Sequence, residues 1–201
     1  VEQNAEHAVE LFTRSAEQGA VRSFYFLGVC YENGIGVAAD VSHAMDCYLE
    51  AANSDHVPSQ YHLALCFLRG SGIPKDPAAA IQWLERAAEH NDPASLDLLG
   101  DCFYNGDGVE RDDQKAIECF RQAAGQNYAP SIDSLGLCYE FGRGVEPDLS
   151  KAAEYYLLAA KQGYPVAQFH IAICYLNGNG VAKAPDEAVF WLEKAAEQDM
   201  A

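Results

Sequence analysis

Two pairs of residues have the types and spacing for nucleophilic chemistry. His62 and Cys66 stand four apart, as do His170 and Cys174, so on a helix each imidazole shares a face with a thiol. A Cys–His nucleophile needs hydrogen-bond reach between the two and a third group to orient the base. The thiol half is not particular to these places. Cys30, Cys66, Cys102, Cys138 and Cys174 recur every 36 residues on an apolar face, and core packing accounts for all five. The two pairs lie three such intervals apart, too far for one four-ligand metal site, and His7, His43, His56 and His90 form no cluster. Gly34-Ile35-Gly36 is not a phosphate loop, because it follows a helical stretch, lacks a lysine and occurs five times, as Gly70/Gly72, Gly106/Gly108, Gly142/Gly144 and Gly178/Gly180 thereafter. The expectation is therefore a non-enzyme, with no catalytic, cofactor-binding or metal-ligating residue.

The elements that carry these residues follow from the same period. A fixed interval of this size marks a solenoid of stacked supersecondary units. In each unit a first helix is predicted from an apolar face such as Phe24, Leu27, Cys30 and Tyr31 over roughly 21–33. Gly34 ends that helix in the left-handed conformation. Asp40 caps the second helix, whose face is Ala44, Cys47, Tyr48, Ala51 and Ala52. Asp76, Asp112 and Asp148 repeat the cap, and Asp92-Pro93 gives the same start signal to a first helix; repeat five departs, with Ala184-Pro185. Gly28, Ala64, Gly100, Gly136 and Ala172 place a small residue at one position in every unit, which predicts a closely crossing helix backbone there. The boundaries read as one array, 1–201: residues 1–19 the second helix of a partial repeat, then five full repeats at 20–55, 56–91, 92–127, 128–163 and 164–199. The array opens mid-unit and stops at a repeat boundary with no polar capping helix, as expected of a segment of a longer array.

Thirteen basic residues against 30 acidic give a net charge of −17. Phosphate binding needs clustered Lys and Arg, so nucleic acid is not an expected partner, and an anionic membrane surface is disfavoured for the same reason. A cationic or neutral protein segment fits better. No apolar run reaches the roughly 18–20 residues of a membrane span, so direct membrane insertion is not expected, and no signal peptide is visible. The stacked cysteine row lies on helices packed roughly 8–10 Å apart, beyond the Cα separation of about 7 Å a disulfide needs. Small buried thiols in a reducing, cytoplasmic compartment are favoured, with the endoplasmic reticulum lumen and bacterial periplasm left open.

Leu-Gly-X-X-Tyr-X-X-Gly-X-Gly-Val, then Asp, then Ala and a paired Ala-Ala, resembles the Sel-one-like repeat (SLR) family, a relative of the tetratricopeptide (TPR) repeat. The two residues beyond the 34-residue TPR period belong in the Gly-X-Gly loop. The resemblance covers essentially the whole chain. It implies an all-α fold, an α/α right-handed superhelical solenoid of 36-residue helix–loop–helix repeats, acting as an adaptor for protein complexes. A cysteine-rich bacterial branch staples its repeats by disulfides at the end of the second helix and start of the next; here Ala52, Ala88, Ala124, Ala160 and Ala196 hold those places, so the chain departs from that branch.

In a superhelix of this kind the first helices line the concave surface. Three rows are then expected to face a partner: Tyr25, Tyr61, Asp97, Asp133 and Phe169; Val29, Leu65, Asp101, Leu137 and Ile173; Glu32, Leu68, Tyr104, Glu140 and Leu176. Apolar anchors with interspersed carboxylates suit a hydrophobic and basic segment of another protein. TPR proteins that clasp C-terminal carboxylates place Lys, Asn and Arg here, and Tyr, Asp and Leu do not serve that purpose. The function expected is a protein-interaction scaffold, monomeric or weakly self-associating end to end. The alternative is a structural spacer or oligomerisation module with no ligand on this face.

Overall fold

The computed structural model describes residues 2–199, and these form eleven α-helices with no strand among them. They are α1 (Glu2–Glu17), α2 (Val21–Asn33), α3 (Val41–Asn53), α4 (Val57–Arg69), α5 (Pro77–Glu89), α6 (Pro93–Asn105), α7 (Asp113–Ala124), α8 (Ala129–Phe141), α9 (Leu149–Lys161), α10 (Pro165–Asn177) and α11 (Pro185–Asp199). The chain divides into two compact units. The first runs through Ser95 and adds Asp107–Glu110; the second holds Leu96–Gly106 and Arg111 onward.

Asp and Gly punctuate the helices as their chemistry dictates. The Asp40, Asp76, Asp112 and Asp148 carboxylates accept from the backbone N–H of His43, Ala79, Lys115 and Lys151 at 3.0–3.1 Å, satisfying donors that the first helical turn leaves open. Asp92 does the same for Ser95 N–H at 2.8 Å and also takes the Ser95 hydroxyl at 2.6 Å. At the other end, Gly34, Gly70, Gly142 and Gly178 cap α2, α4, α8 and α10 with φ between 66° and 78°. The loop from first to second helix is then pinned alike in each hairpin, from Asp40 N–H to Tyr31 O at 2.8 Å through to Ala184 N–H to Tyr175 O at 3.0 Å.

In each unit the apolar faces close on one another. In the first, Ala44, Met45, Tyr48, Ala52, Leu63 and Cys66 form one buried cluster from α3 and α4. In the second, Ile132, Ala152, Ala153, Tyr156, Ala159, Ala160, Ala167, Ile171 and Cys174 join α8, α9 and α10. The abundant alanines let the helices approach, and a large side chain, Tyr48 in the first cluster and Tyr156 in the second, fills what the alanines leave.

The small residue in the first helix has a different cause from the backbone crossing expected there. A Cβ on Gly28, Gly100 or Gly136 would lie 2.5 Å from Cε1 of Tyr48, Phe120 or Tyr156, so it is a side-chain ring that sits on the glycine. Close approach to helix backbone occurs instead at the second loop glycine. A Cβ on Gly36, Gly144 or Gly180 would run into the backbone of Ala5, Asp113 or Leu149 on the preceding second helix.

Candidate functional site

The residues expected to face a partner sit on the first helices α2, α4, α6, α8 and α10. Of the first row, Tyr25, Tyr61 and Asp97 are half-buried, Asp133 is buried and Phe169 exposed. Val29, Leu65, Asp101, Leu137 and Ile173 are all half-buried. In the last row Glu32, Leu68, Tyr104 and Glu140 are half-buried, and Leu176 is exposed.

In the first unit the face is built on a buried tyrosine. Tyr48, fully buried on α3, donates its hydroxyl proton to Glu32 Oε2 at 2.8 Å. His62 of α4 reaches the same oxygen through Nε2 at 3.0 Å. The His62 ring lies 4.5 Å from that of Tyr48, and Tyr25 closes the cluster, 5.8 Å from Tyr48. Burial, then the carboxylate beside it, raises the Tyr48 phenol well above its ordinary pKa, so it remains a donor. Nearby His56 is lowered by burial and by the Arg22 charge.

The second unit repeats this plan and adds acid. Tyr156 of α9 donates to Glu140 at 2.5 Å, and its phenol is likewise raised, by burial and then by Glu140. His170 of α10 turns to a different carboxylate, Asp133 of α8, at 2.9 Å. Asp97 of α6 accepts the Ser131 hydroxyl at 2.5 Å. Two side-chain bonds thus tie α6 to α8 and α8 to α10 across neighbouring first helices. Burial pushes the Asp97 carboxyl up to about 6; the Ser131 bond works against that and the Asp133 charge adds to it. Tyr164, just before α10, has its phenol raised by burial first and then by the Asp133, Asp97 and Asp101 charges. At the loop end of α6 the Arg143 guanidinium covers the Tyr104 ring at 4.0 Å and donates to the Tyr104 carbonyl at 3.1 Å.

The imidazoles that could have activated thiols are therefore bound to carboxylates. Burial also raises the thiols themselves, Cys66 and Cys174 to about 11 each, so neither is a thiolate near neutral pH. All seven cysteines are buried and unbridged. No group of three or more His, Cys, Asp or Glu among the described residues is placed to hold a metal ion. No described helix is long and apolar enough to cross a membrane. What the face can do is accept hydrogen bonds, attract cations and pack apolar groups.

Tyr48, His62, Tyr156, His170, Ser131 and Tyr164 were not among the residues expected to build this face. For Tyr48, His62, Tyr156 and His170 the signal is a second periodicity. Glu32, Tyr48, Gln60, His62 and Trp83 return 108 residues later as Glu140, Tyr156, Gln168, His170 and Trp191. Glycine also tracks the aromatic ring: Gly28, Gly100 and Gly136 go with Tyr48, Phe120 and Tyr156, whereas Ala64 and Ala172 go with Leu84 and Leu192.

Helix pairs with this loop and capping define an α-helical repeat protein. The Sel1 repeat family model matches residues 1–19, 25–56, 57–92, 93–128, 130–164 and 165–200, and the chain belongs to that family, whose repeats mediate protein–protein interaction. A Sel1 repeat protein from Oxalobacter formigenes is similar over 98% of this chain and 78% of its own, with 28% identity and a TM-score of 0.91. The SLR-fold protective antigen c5321 of uropathogenic Escherichia coli is 27% identical over 94% of this chain, with a TM-score of 0.61; the match spans 48% of that protein. The immunity protein Pa5087 of Pseudomonas aeruginosa shares the fold at 24% identity and a TM-score of 0.62 over 95% of this chain and 73% of its own. No curated protein matches the chain.

Proposed function

We propose that the chain is a non-catalytic protein-interaction module that holds a segment of another protein on its first-helix face. The three rows, taken within each unit, supply its contact residues apart from Asp133, which is buried and serves the fold through His170; Glu32 and Glu140 also serve the fold through Tyr48 and Tyr156. The observation that carries this reading is in the second unit. Asp97, bonded by Ser131, and Asp133, bonded to His170, lie on the same run of helices as the exposed Phe169 and Leu176. Partly desolvated carboxylates gain from a cation, and exposed apolar side chains gain from burial.

Affinity purification identifies the main partner, and the variant D97K/D101K/D133N tests where it binds. Asp133 is changed to Asn rather than Lys because it is buried against His170. Loss of capture with unchanged helicity is the expected result; undiminished capture excludes this face. The second reading, an end-to-end oligomerisation module, draws on Val189 and Phe190, both exposed on α11. Sedimentation over a wide concentration range decides it, since a constant monomer mass excludes that reading.

A further inference from the structure

A second surface lies within the second unit, where α8 meets α9. Tyr139 of α8 and Tyr155 of α9 stack with ring centroids 5.5 Å apart and planes 12° from parallel. With Lys151, Glu154 and Leu158 of α9 they line a cavity of about 350 Å³. That volume is at the lower end for a ligand pocket and suits one long side chain. Since α9 packs against both α8 and α10, this is not the face of a terminal helix. Lys151 is engaged within the chain: its Nζ lies 5.3 Å from the Tyr139 ring centroid and 3.5 Å from the Asp148 carboxylate. Glu154 is exposed and makes no hydrogen bond or ion pair with any described residue.

The corresponding surface two repeats earlier shows what such a ring takes. There the aromatic pair is Phe67 and Trp83. Arg86 lies over the Trp83 ring, 4.9 Å from its centroid, and its guanidinium donates to Asp55 Oδ1 at 3.0 Å. Arg86 stands at the position of Leu158, and the remaining second helices carry Arg14, Glu50, Gln122 and Lys194 there. None of these five side chains is buried. α9 alone puts a large apolar side chain at that position, and Leu158 is 48% exposed. Repeat four therefore has the aromatic rings and a carboxylate, but not the arginine that repeat two lays on its own ring.

From this contrast we infer that the α8–α9 cavity receives an arginine side chain presented by another protein. The guanidinium lies against the Tyr155 ring and pairs with Glu154, and an apolar neighbour of that arginine covers Leu158. Arginine fits better than lysine, because its planar fork both stacks on an aromatic ring and meets a carboxylate through two parallel hydrogen bonds. A purely apolar segment would desolvate Glu154 without pairing it. An anionic group would find Lys151 held by Asp148 and by the Tyr139 ring, in a chain whose net charge of −17 repels it. The five lining residues are distinct from the three rows of the first-helix face, so this contact is independent of the one proposed there.

The test is selection of a random dodecapeptide library, displayed on phage, against the whole chain after depletion on the variant E154Q/L158Q. Depletion removes peptides that bind any other surface. Both substitutions place residues that other repeats carry at these positions, Gln82 and Gln122, and circular dichroism confirms that the helices are kept. The expected survivors share an arginine beside Phe, Leu, Ile or Met. E154Q weakens them about tenfold or more, and L158Q about threefold or more. Lysine in place of that arginine weakens them about as much as E154Q does. No enrichment after depletion, survivors without arginine, survivors indifferent to E154Q, or survivors that tolerate lysine each overturn the inference. Light scattering completes the test: a dimer that E154Q/L158Q dissociates assigns the cavity to a second copy of the chain and overturns it as well.

Discussion

A methyl group added at Gly100 would sit 2.5 Å from Cε1 of Phe120 and 2.8 Å from Cδ1. Phe120 is 1% exposed and has nowhere to retreat. The helix itself would gain about 1 kcal/mol from alanine, but overpacking a filled core costs about 1–3 kcal/mol. Gly100→Ala is therefore expected to destabilise. Phe120→Leu alone leaves a void of comparable cost. The double variant recreates the Ala64/Leu84 pairing found elsewhere in the chain and is expected to recover about 1–2 kcal/mol of the summed loss. Urea denaturation of all four proteins measures this; strict additivity would mean that ring and glycine are not matched. Asp97 gives a second residue-scale expectation. Its carboxyl, raised to about 6 by burial, binds a proton more tightly folded than unfolded. Between pH about 4 and 6 the native state therefore holds more protons, and this group's contribution to stability falls as pH rises through that window. Asp97→Asn, which still accepts from Ser131, should be the more stable protein at pH 7 by on the order of 2–3 kcal/mol. The advantage should shrink toward pH 4. Parallel denaturation curves at the two pH values would contradict it.

Helix caps show what a single residue contributes to an element. Asp76 accepts from Ala79 N–H at 3.0 Å and precedes Pro77 at the first turn of α5. Removing it as Asp76→Ala should cost about 1 kcal/mol. At the matching position before α11 stands Ala184, whose N–H is pinned to Tyr175 O as Asp148 N–H is to Tyr139 O. The backbone there is set for a cap that the side chain does not supply, so Ala184→Asp should raise the stability of α11 by about 0.5–1 kcal/mol. Hydrogen exchange of α11 amides reads this directly; unchanged protection would show that its first turn is already satisfied. These elements were legible in the sequence because their signals are local. Asp caps, Gly stops and 3-4 spacing fall inside one hairpin, and α2 ends at Asn33 before Gly34 as expected. The packing of the hairpin was less so. Glycine at 28 signals only that something comes close, and a ring from α3 and a crossing backbone leave the same mark. Least legible was the polar face, because Glu32 is held by Tyr48 from the next helix and His62 from the one after. Those partners become visible only when repeats 108 residues apart are set beside one another, not those 36 apart.

The charge of the whole chain acts on any partner before contact. A net charge of −17 surrounds the protein with a negative potential that draws a basic segment inward and repels nucleic acid and anionic lipid. The field reaches about 10 Å at 0.1 M salt and about 3 Å at 1 M. Apolar burial against Phe169, Ile173 and Leu176 is far less sensitive to salt at these concentrations. The two contributions therefore separate kinetically. For a partner segment captured on the first-helix face, raising salt from about 0.05 M to about 0.5 M should lower the association rate about tenfold or more, in keeping with electrostatically steered encounters. Its dissociation rate should change much less. D97K/D101K should lower the association rate and flatten the salt dependence, whereas F169S/L176S should raise the dissociation rate and leave the salt dependence intact. Stopped-flow fluorescence with one labelled peptide against the three proteins makes the comparison. An association rate indifferent to salt would show that the acidic charge only keeps the chain in solution and takes no part in bringing a partner to the first-helix face.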